Sequence, residues 1–275
     1  MMPIAVVAGQ EIRAGLRNRW VLATTGLLAA LALSLALLGT APVGAVDADP
    51  LAVVVVSLAS LSIFLLPLIA MLLSFDTIVG EQERGTLLLL LAYPLARWQV
   101  LVGKFLGHTA ILAAATMLGY GAAAAALAMR GSIGADAWAA FAAMVATSIL
   151  LGAVFVALGC LASVAVRERA TAAGLAVGIW LFFVLLYDML LLGILVADQG
   201  RAVSAAMLDV LLLFNPTDAY RLFNLSGSEA TRLYSGMVGP GEAGRISTVA
   251  LIAALASWVV LPLAAAIVVF QRREP

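Results

Sequence analysis

The feature that most constrains this chain is a set of six long runs almost free of charge, separated by segments that carry nearly all of its ionisable residues. They read Trp20 to Gly39, Leu51 to Phe75, Phe105 to Met129, Ala137 to Val166, Ala170 to Ala197 with one interruption at Asp188, and Ile246 to Gln271. A helix rises about 1.5 Å per residue and a bilayer core is about 30 Å thick, so about 20 apolar residues cross it and each run suffices. A soluble globule cannot hide so much apolar surface: 64% of the residues are hydrophobic, only 11% are charged, and the mean hydropathy is +1.13. The pattern predicts an all-α polytopic membrane protein of six transmembrane helices, a single transmembrane domain over residues 1–275. The first run follows Arg13, Arg17 and Arg19 with no small-residue cleavage site behind it, and is read as a retained span, not a signal peptide.

Lysine and arginine in short loops set the orientation. Arg13, Arg17 and Arg19, then Arg84, Arg97 and Lys104, then Arg167 and Arg169, and finally Arg272 and Arg273 all fall on one side, ten of the 15 basic residues. The opposite short loops hold Arg130 with Asp47, Asp49 and Asp136. Both termini are therefore expected on the cytoplasmic side of a bacterial inner membrane. Residues 3 to 17, with Ile4, Val7, Ile12 and Leu16 against Gln10, Glu11, Arg13 and Arg17, read as an interfacial helix within segment 1–19; the alternative is a frayed tail. A net charge of zero supplies no field to attract nucleic acid, and the single Cys160 forms no disulfide within the chain.

The first cytoplasmic loop, 76–104, carries the most information. Asp76 through Glu81-Gln82-Glu83-Arg84-Gly85-Thr86 leaves the second span abruptly charged, and five leucines from Leu87 follow, ending at Tyr93-Pro94. The uncharged piece between Arg84 and Arg97 has 12 residues, about 18 Å of helix, too short to cross. It is expected to lie across the inner face: Gly85 breaks the descending helix, Thr86 caps a new one, and Pro94 ends it before Arg97-Trp98-Gln99. The alternative is an interfacial or re-entrant turn with no partner.

Gly-Glu-x-Glu-x-Gly-Thr at Gly80 to Thr86, the leucine run, Pro94 and Gly103-Lys104 resemble the first cytoplasmic loop of type-2 ABC permeases. Phe64 to Ala70, Leu72 to Asp76, Leu91 to Pro94, Gly103 to His108 and Phe214 to Arg221 bring the resemblance closest to the NosY-type permeases of the nitrous-oxide reductase maturation, or copper-processing, system. The resemblance implies a type-2 ABC exporter-like fold with re-entrant external helices before the last span. It implies a homodimer in which this loop is the coupling helix, with Glu81, Glu83, Arg84, Gly85, Thr86, Leu87, Leu88, Pro94 and Arg97 contacting a cytoplasmic ATPase. It also implies a periplasmic copper-handling partner outside, membrane lipid around the spans, and ATP with Mg on the ATPase and not on this chain. The alternative function is a type-2 ABC exporter of a lipid, drug or other small solute. A scaffold or proton-coupled carrier is the reading from another class, and such a carrier needs charged spans and paired broken helices.

Rival chemistries find little support in the residues. The chain contains no Gly-x-x-x-x-Gly-Lys-[Ser/Thr] phosphate loop, so no ATP hydrolysis and no enzyme chemistry are expected of it. Leu225-Ser226-Gly227-Ser228-Glu229 echoes an ATPase signature by coincidence, on the opposite side of the membrane. His108 is the only histidine and reads as a satisfied interfacial imidazole, while Met117, Met129, Met144 and Met189 lie in different spans as apolar filler; no metal site is expected. Asp188 falls about 27 Å from Ala170 along a helix, near the outer interface, as a solvated or paired acid or as a gating residue. Gly174 and Gly178 form a small-residue face, a candidate dimer contact or a site of close packing within one subunit. The external loop, 198–245, opens with an apolar piece, Val203 to Phe214, too short to span. Its polar remainder, with Asn215, Pro216, Asp218 and Arg221 at the start, is the expected docking surface for the periplasmic partner.

Overall fold

The computed structural model describes residues 2–38, 50–93, 95–129, 134–198, 204–226 and 246–273, and every regular element among them is helical. In chain order these are α1 (Met2–Leu16), α2 (Arg19–Leu38), α3 (Pro50–Ser74), α4 (Val79–Glu83), α5 (Thr86–Leu91), α6 (Arg97–Ala128), α7 (Ala135–Ala165), α8 (Arg169–Leu181), a π-turn (Phe182–Leu186), α9 (Tyr187–Asp198), α10 (Ala205–Leu213), α11 (Pro216–Ser226) and α12 (Thr248–Arg272). Five helices are long and apolar enough to cross a membrane alone, and α1 with α2, bent by 70°, raises the count to six. Pro94, Arg130, Asp47, Asp49 and the Gly-rich part of the external loop lie outside the described residues.

Two span boundaries differ from the sequence reading. The second span does not stop at Phe75: a turn carries it into α4, and the amides of Ile78 and Val79 freed at that turn donate to Ser163 Oγ on α7 at 2.9 and 3.1 Å. Helix α6, the third span, starts at Arg97, eight residues before the apolar run, because its first turns are buried at Val100, Leu101 and Lys104 against α1 and the coupling turn.

The bundle is built around α3 and α7, the two spans most buried by their own chain. Leu58, Leu66, Met71, Leu151, Val154 and Phe155 fill the interior between them. Helix α6 packs on α2 and α7, and α12 closes the far side of α7. Polar side chains inside the spans bond back to carbonyls one turn earlier, as Thr116 does to Leu112 at 2.9 Å, and Ser62, which bonds Leu58 O at 2.5 Å, also pairs with Tyr120 of α6 at 2.5 Å. The fifth and last spans are the least covered: 11% and 17% of their apolar windows are buried by their own chain, against 67% for α7.

Helix α1 is a packed element, not a frayed tail. It lies along the first turns of α6, and the close approach depends on glycine: a Cβ on Gly103 would sit 2.7 Å from Val7 Cβ and 3.1 Å from the carbonyl oxygen of Ile4, and one on Gly107 would sit 2.5 Å from Glu11 Cβ. The packed face is Ile4, Val7, Ala8, Glu11 and Gly15; Leu16, expected on it, is 60% exposed. Gly107→Leu is therefore expected to lever α1 off α6, and limited proteolysis of the purified protein should then cut within residues 2–18 at a rate the native chain does not show.

Candidate coupling site

At the end of α4, Gly85 takes φ +70°, a left-handed conformation that residues with a Cβ adopt at a cost of about 1–2 kcal/mol. Its amide donates to Gln82 O at 3.0 Å, closing α4, and the chain turns into α5. Gly85 itself is the N-cap of α5 and Thr86 is its first helical residue, so the expected cap at Thr86 is corrected by one position. The Thr86 hydroxyl donates backwards to Glu81 O at 3.2 Å. Six residues make α5 about 9 Å long. Leu87 turns into the core, whereas Leu88, Leu89 and Tyr93 stand 61%, 69% and 68% exposed. A groove of about 700 Å³ runs between α5 and α1, lined by Val6, Gln10, Leu89, Leu90 and Tyr93 among others.

Most charged residues of this loop are tied to other parts of the bundle. Lys104, on α6, is almost wholly buried; its Nζ lies 2.7 Å from Glu81 Oε1 and bonds Glu11 of α1, so one cation joins the N-terminal helix, the coupling turn and the third span. Glu83 Oε1 accepts the backbone amide of Arg169 at 2.6 Å, and the Arg169 guanidinium returns to Asp76 at 2.7 Å and covers the Phe75 ring at 5.9 Å. Arg97 donates to Phe270 O at 3.0 Å and to Arg273 O, stacking at 5.7 Å on Phe270; Arg273 in turn donates to Val164 O at 3.0 Å and Val166 O at 2.6 Å. The first turns of α6, the coupling turn and both chain ends thus meet at one end of the bundle. Arg84 stands exposed at the turn beside the leucines. The surface offered outward carries Leu88, Leu89 and Tyr93 with Arg84 and the exposed Glu83, whose Oε1 is tied to the Arg169 amide; of the two acids the sequence suggests, Glu81 turns inward.

His108 sits beside this cluster. Thr77 donates its hydroxyl proton to Ser74 O at 2.7 Å, leaving its oxygen to accept from His108 Nε2 at 2.9 Å, which places the ring proton on Nε2. Among the described residues no three of His, Cys, Asp and Glu gather at metal-binding distance.

At the other end of the spans the structure departs further from the sequence reading. Asn215 and Asp218 are buried, Pro216 with them, and Arg221 is half-buried between Asp188 at 2.7 Å and Asp218 at 3.1 Å. In this conformation the first three are interior parts of the bundle, out of reach of a docking protein, because α11 inserts among α3, α7 and α12. Tyr220 and Ser148 pair at 2.8 Å, and Asn224 donates to Thr147 Oγ1 at 3.0 Å, fixing that insertion. Asp188 is paired with Arg221. Among the described residues no atom of another element comes within 4 Å of a Cβ on Gly174 or Gly178.

Sequence reasoning missed Leu89, Tyr93, Lys104 and Arg273. A lysine eight residues into a helix that enters an apolar run was the available signal, since a charge there needs a partner. Which leucine of five faces outward had no signal, because it depends on where the bundle lies.

The ABC-2 family transporter protein model matches residues 5–274. The chain is 49% identical over 275 residues, 99% of both sequences, to the probable ABC transporter permease protein NosY of Pseudomonas aeruginosa. It is 45% identical over 270 residues, 97% of both, to the protein of the same description from Stutzerimonas stutzeri.

Proposed function

This chain belongs to the ABC-2 family of transporter proteins as a permease subunit, and on that premise we propose that it links a cytoplasmic ATPase to a periplasmic partner in copper-centre maturation of nitrous-oxide reductase. Helix α5 is the element on which the ATPase pushes, through Leu88, Leu89, Tyr93 and Arg84. The observation that carries this reading is the exposure of those apolar side chains on a six-residue helix whose other side, at Leu87, is locked into the core. A stroke delivered to α5 passes through α4 into α3, through Glu83 to α8 and through Glu81 and Lys104 to α1 and α6. The basic residues gathered at this end support a cytoplasmic location for it and for both termini.

The permease acts as a dimer whose contact includes the open face at Gly174 and Gly178 and the barely covered fifth span. ATP and Mg are bound by the ATPase. The copper-maturation role rests on the near-full-length similarity to permeases named NosY together with the Phe214 to Arg221 segment. Deleting the gene in a denitrifying host is expected to leave nitrous-oxide reductase made but short of copper, measured as metal content of the purified reductase. A fully loaded reductase from the deletion strain sinks the reading.

One observation favours export of an amphiphile instead. A cavity of about 360 Å³ opens at the inner end of α2, α3 and α6, walled by Val21, Leu72, Leu73 and Ile111 with the Asp76–Arg169 pair at its mouth. Normal copper loading in the deletion strain would move the proposal to that class.

A further inference from the structure

The helical hydrogen-bond ladder of the fifth span changes register where Phe182–Leu186 form a π-turn, while the span runs on from Arg169 to Asp198 as one helix. Such a turn leaves a carbonyl outside the helical ladder, and in a span facing lipid that carbonyl needs a partner. Here Phe183 O accepts Asn215 Nδ2 at 3.1 Å and lies 3.0 Å from Thr217 Oγ1, which shares its proton with Asn215 Oδ1 at 2.8 Å. Both residues are fully buried, so water does not substitute for them. Beyond the π-turn, Tyr187 donates to Leu211 O at 2.7 Å, and Arg221 spans from Asp218 to Asp188.

These bonds have an unequal footing. Below the π-turn, α8 packs on α3 and α7; above it, no helix among the described residues packs along α9, whose Met189, Leu192 and Val196 stand open. Helix α11, in contrast, is seated among α3, α7 and α12. Within one subunit the outer half of the fifth span is therefore located by what α11 and the end of α10 hold out to it.

We propose that Asn215, Thr217 and Arg221 are positioning residues of the transport cycle, pinning the outer half of the fifth span, at its π-turn and at Asp188, to the bundle so that its outer end keeps one position. Their work is internal alignment of the outer mouth of the permease, distinct from partner docking, and it does not depend on what the transporter carries. Asn215 and Thr217 satisfy the freed carbonyl; Arg221 uses two nitrogens on two carboxylates, a fork that a lysine lacks.

The test is a distance measurement by double spin labelling of the full chain in membranes with its ATPase, labelled copies being diluted with unlabelled ones. Cys160, the single cysteine, is buried and out of reach of the label. Met129→Cys with Val196→Cys reports the outer half of the fifth span, and Met129→Cys with Ile252→Cys reports the bundle. The native background is expected to give one narrow distribution for both pairs. Asn215→Ala with Thr217→Val, and separately Arg221→Gln, should broaden or shift the first pair and leave the second unchanged, with Arg221→Lys intermediate. If the double variant does not assemble, Arg221→Gln and Asp188→Asn at the half-exposed end of the network decide alone. A first pair as narrow and as centred as native in those variants overturns the proposal, and so does equal broadening of both pairs, which would make these residues general supports of the fold.

Discussion

Leu88→Glu combined with Leu89→Glu is expected to weaken association with the ATPase by about a hundredfold or more while the permease itself folds as before. Each leucine covered at an interface contributes about 1.5–3 kcal/mol, and about 1.4 kcal/mol is a factor of ten in affinity. Placing two carboxylates there adds their desolvation. Both side chains project from α5 into solvent and contribute little to the chain's own packing, so its melting temperature should stay close to native. Copurification of the ATPase with the detergent-solubilised permease, titrated against ATPase concentration, measures the loss. Association unchanged in the double variant would remove α5 as the docking element. Leu87→Glu is a poor substitute test, since Leu87 is 5% exposed and its loss damages the fold first.

Lys104→Ala is expected to cost stability on a larger scale, about 3–5 kcal/mol, because removing one partner of a buried ion pair leaves the other charge uncompensated. Here two carboxylates, Glu11 and Glu81, would be left facing each other across the vacated position. Glu81 already has one oxygen, Oε2, buried without a partner among the described residues, so none of them offers it an alternative donor. Thermal unfolding in detergent is the measurement, and Lys104→Ala with Glu11→Gln should recover part of the loss. A single variant that melts with the native protein would make the cluster a solvated contact. The same geometry bears on charge reversal at Glu81: Glu81→Lys opposes Lys104 directly, so weakened ATPase binding in that variant would report a disturbed coupling turn as much as a lost docking charge.

Much of the architecture is legible in the residues because the bilayer imposes a one-dimensional rule. Uncharged length decides span or no span, and Asp188 is the one ionised interruption the runs contain. The break at Gly85 and the short helix after it were legible for a similar reason, since glycine and a 12-residue uncharged gap are local signals. The direction of side chains was not. Glu81, Glu83 and Arg97 read as a charged docking strip because the sequence does not show Lys104, the Arg169 amide or the carbonyls of Phe270 and Arg273 arriving from 23, 86, 173 and 176 positions away. Asn215, Pro216 and Asp218 read as an exposed loop for the same reason: their burial depends on α11 entering the bundle, which Tyr220 and Asn224 accomplish through partners on α7.

By itself the sequence determined the number and extent of the apolar runs, the grouping of basic residues on one side, and the presence of a short helix too small to cross. Hydrophobic transfer and chain stiffness act on contiguous residues, so these properties need no knowledge of the fold. Only the tertiary structure decided which charges neutralise one another, which leucines remain uncovered, and that the outer Asn-Pro-Thr-Asp segment braces a π-turn. Those outcomes depend on pairings between distant segments in a medium of low dielectric, where a charge or a carbonyl must find its partner wherever packing has placed it.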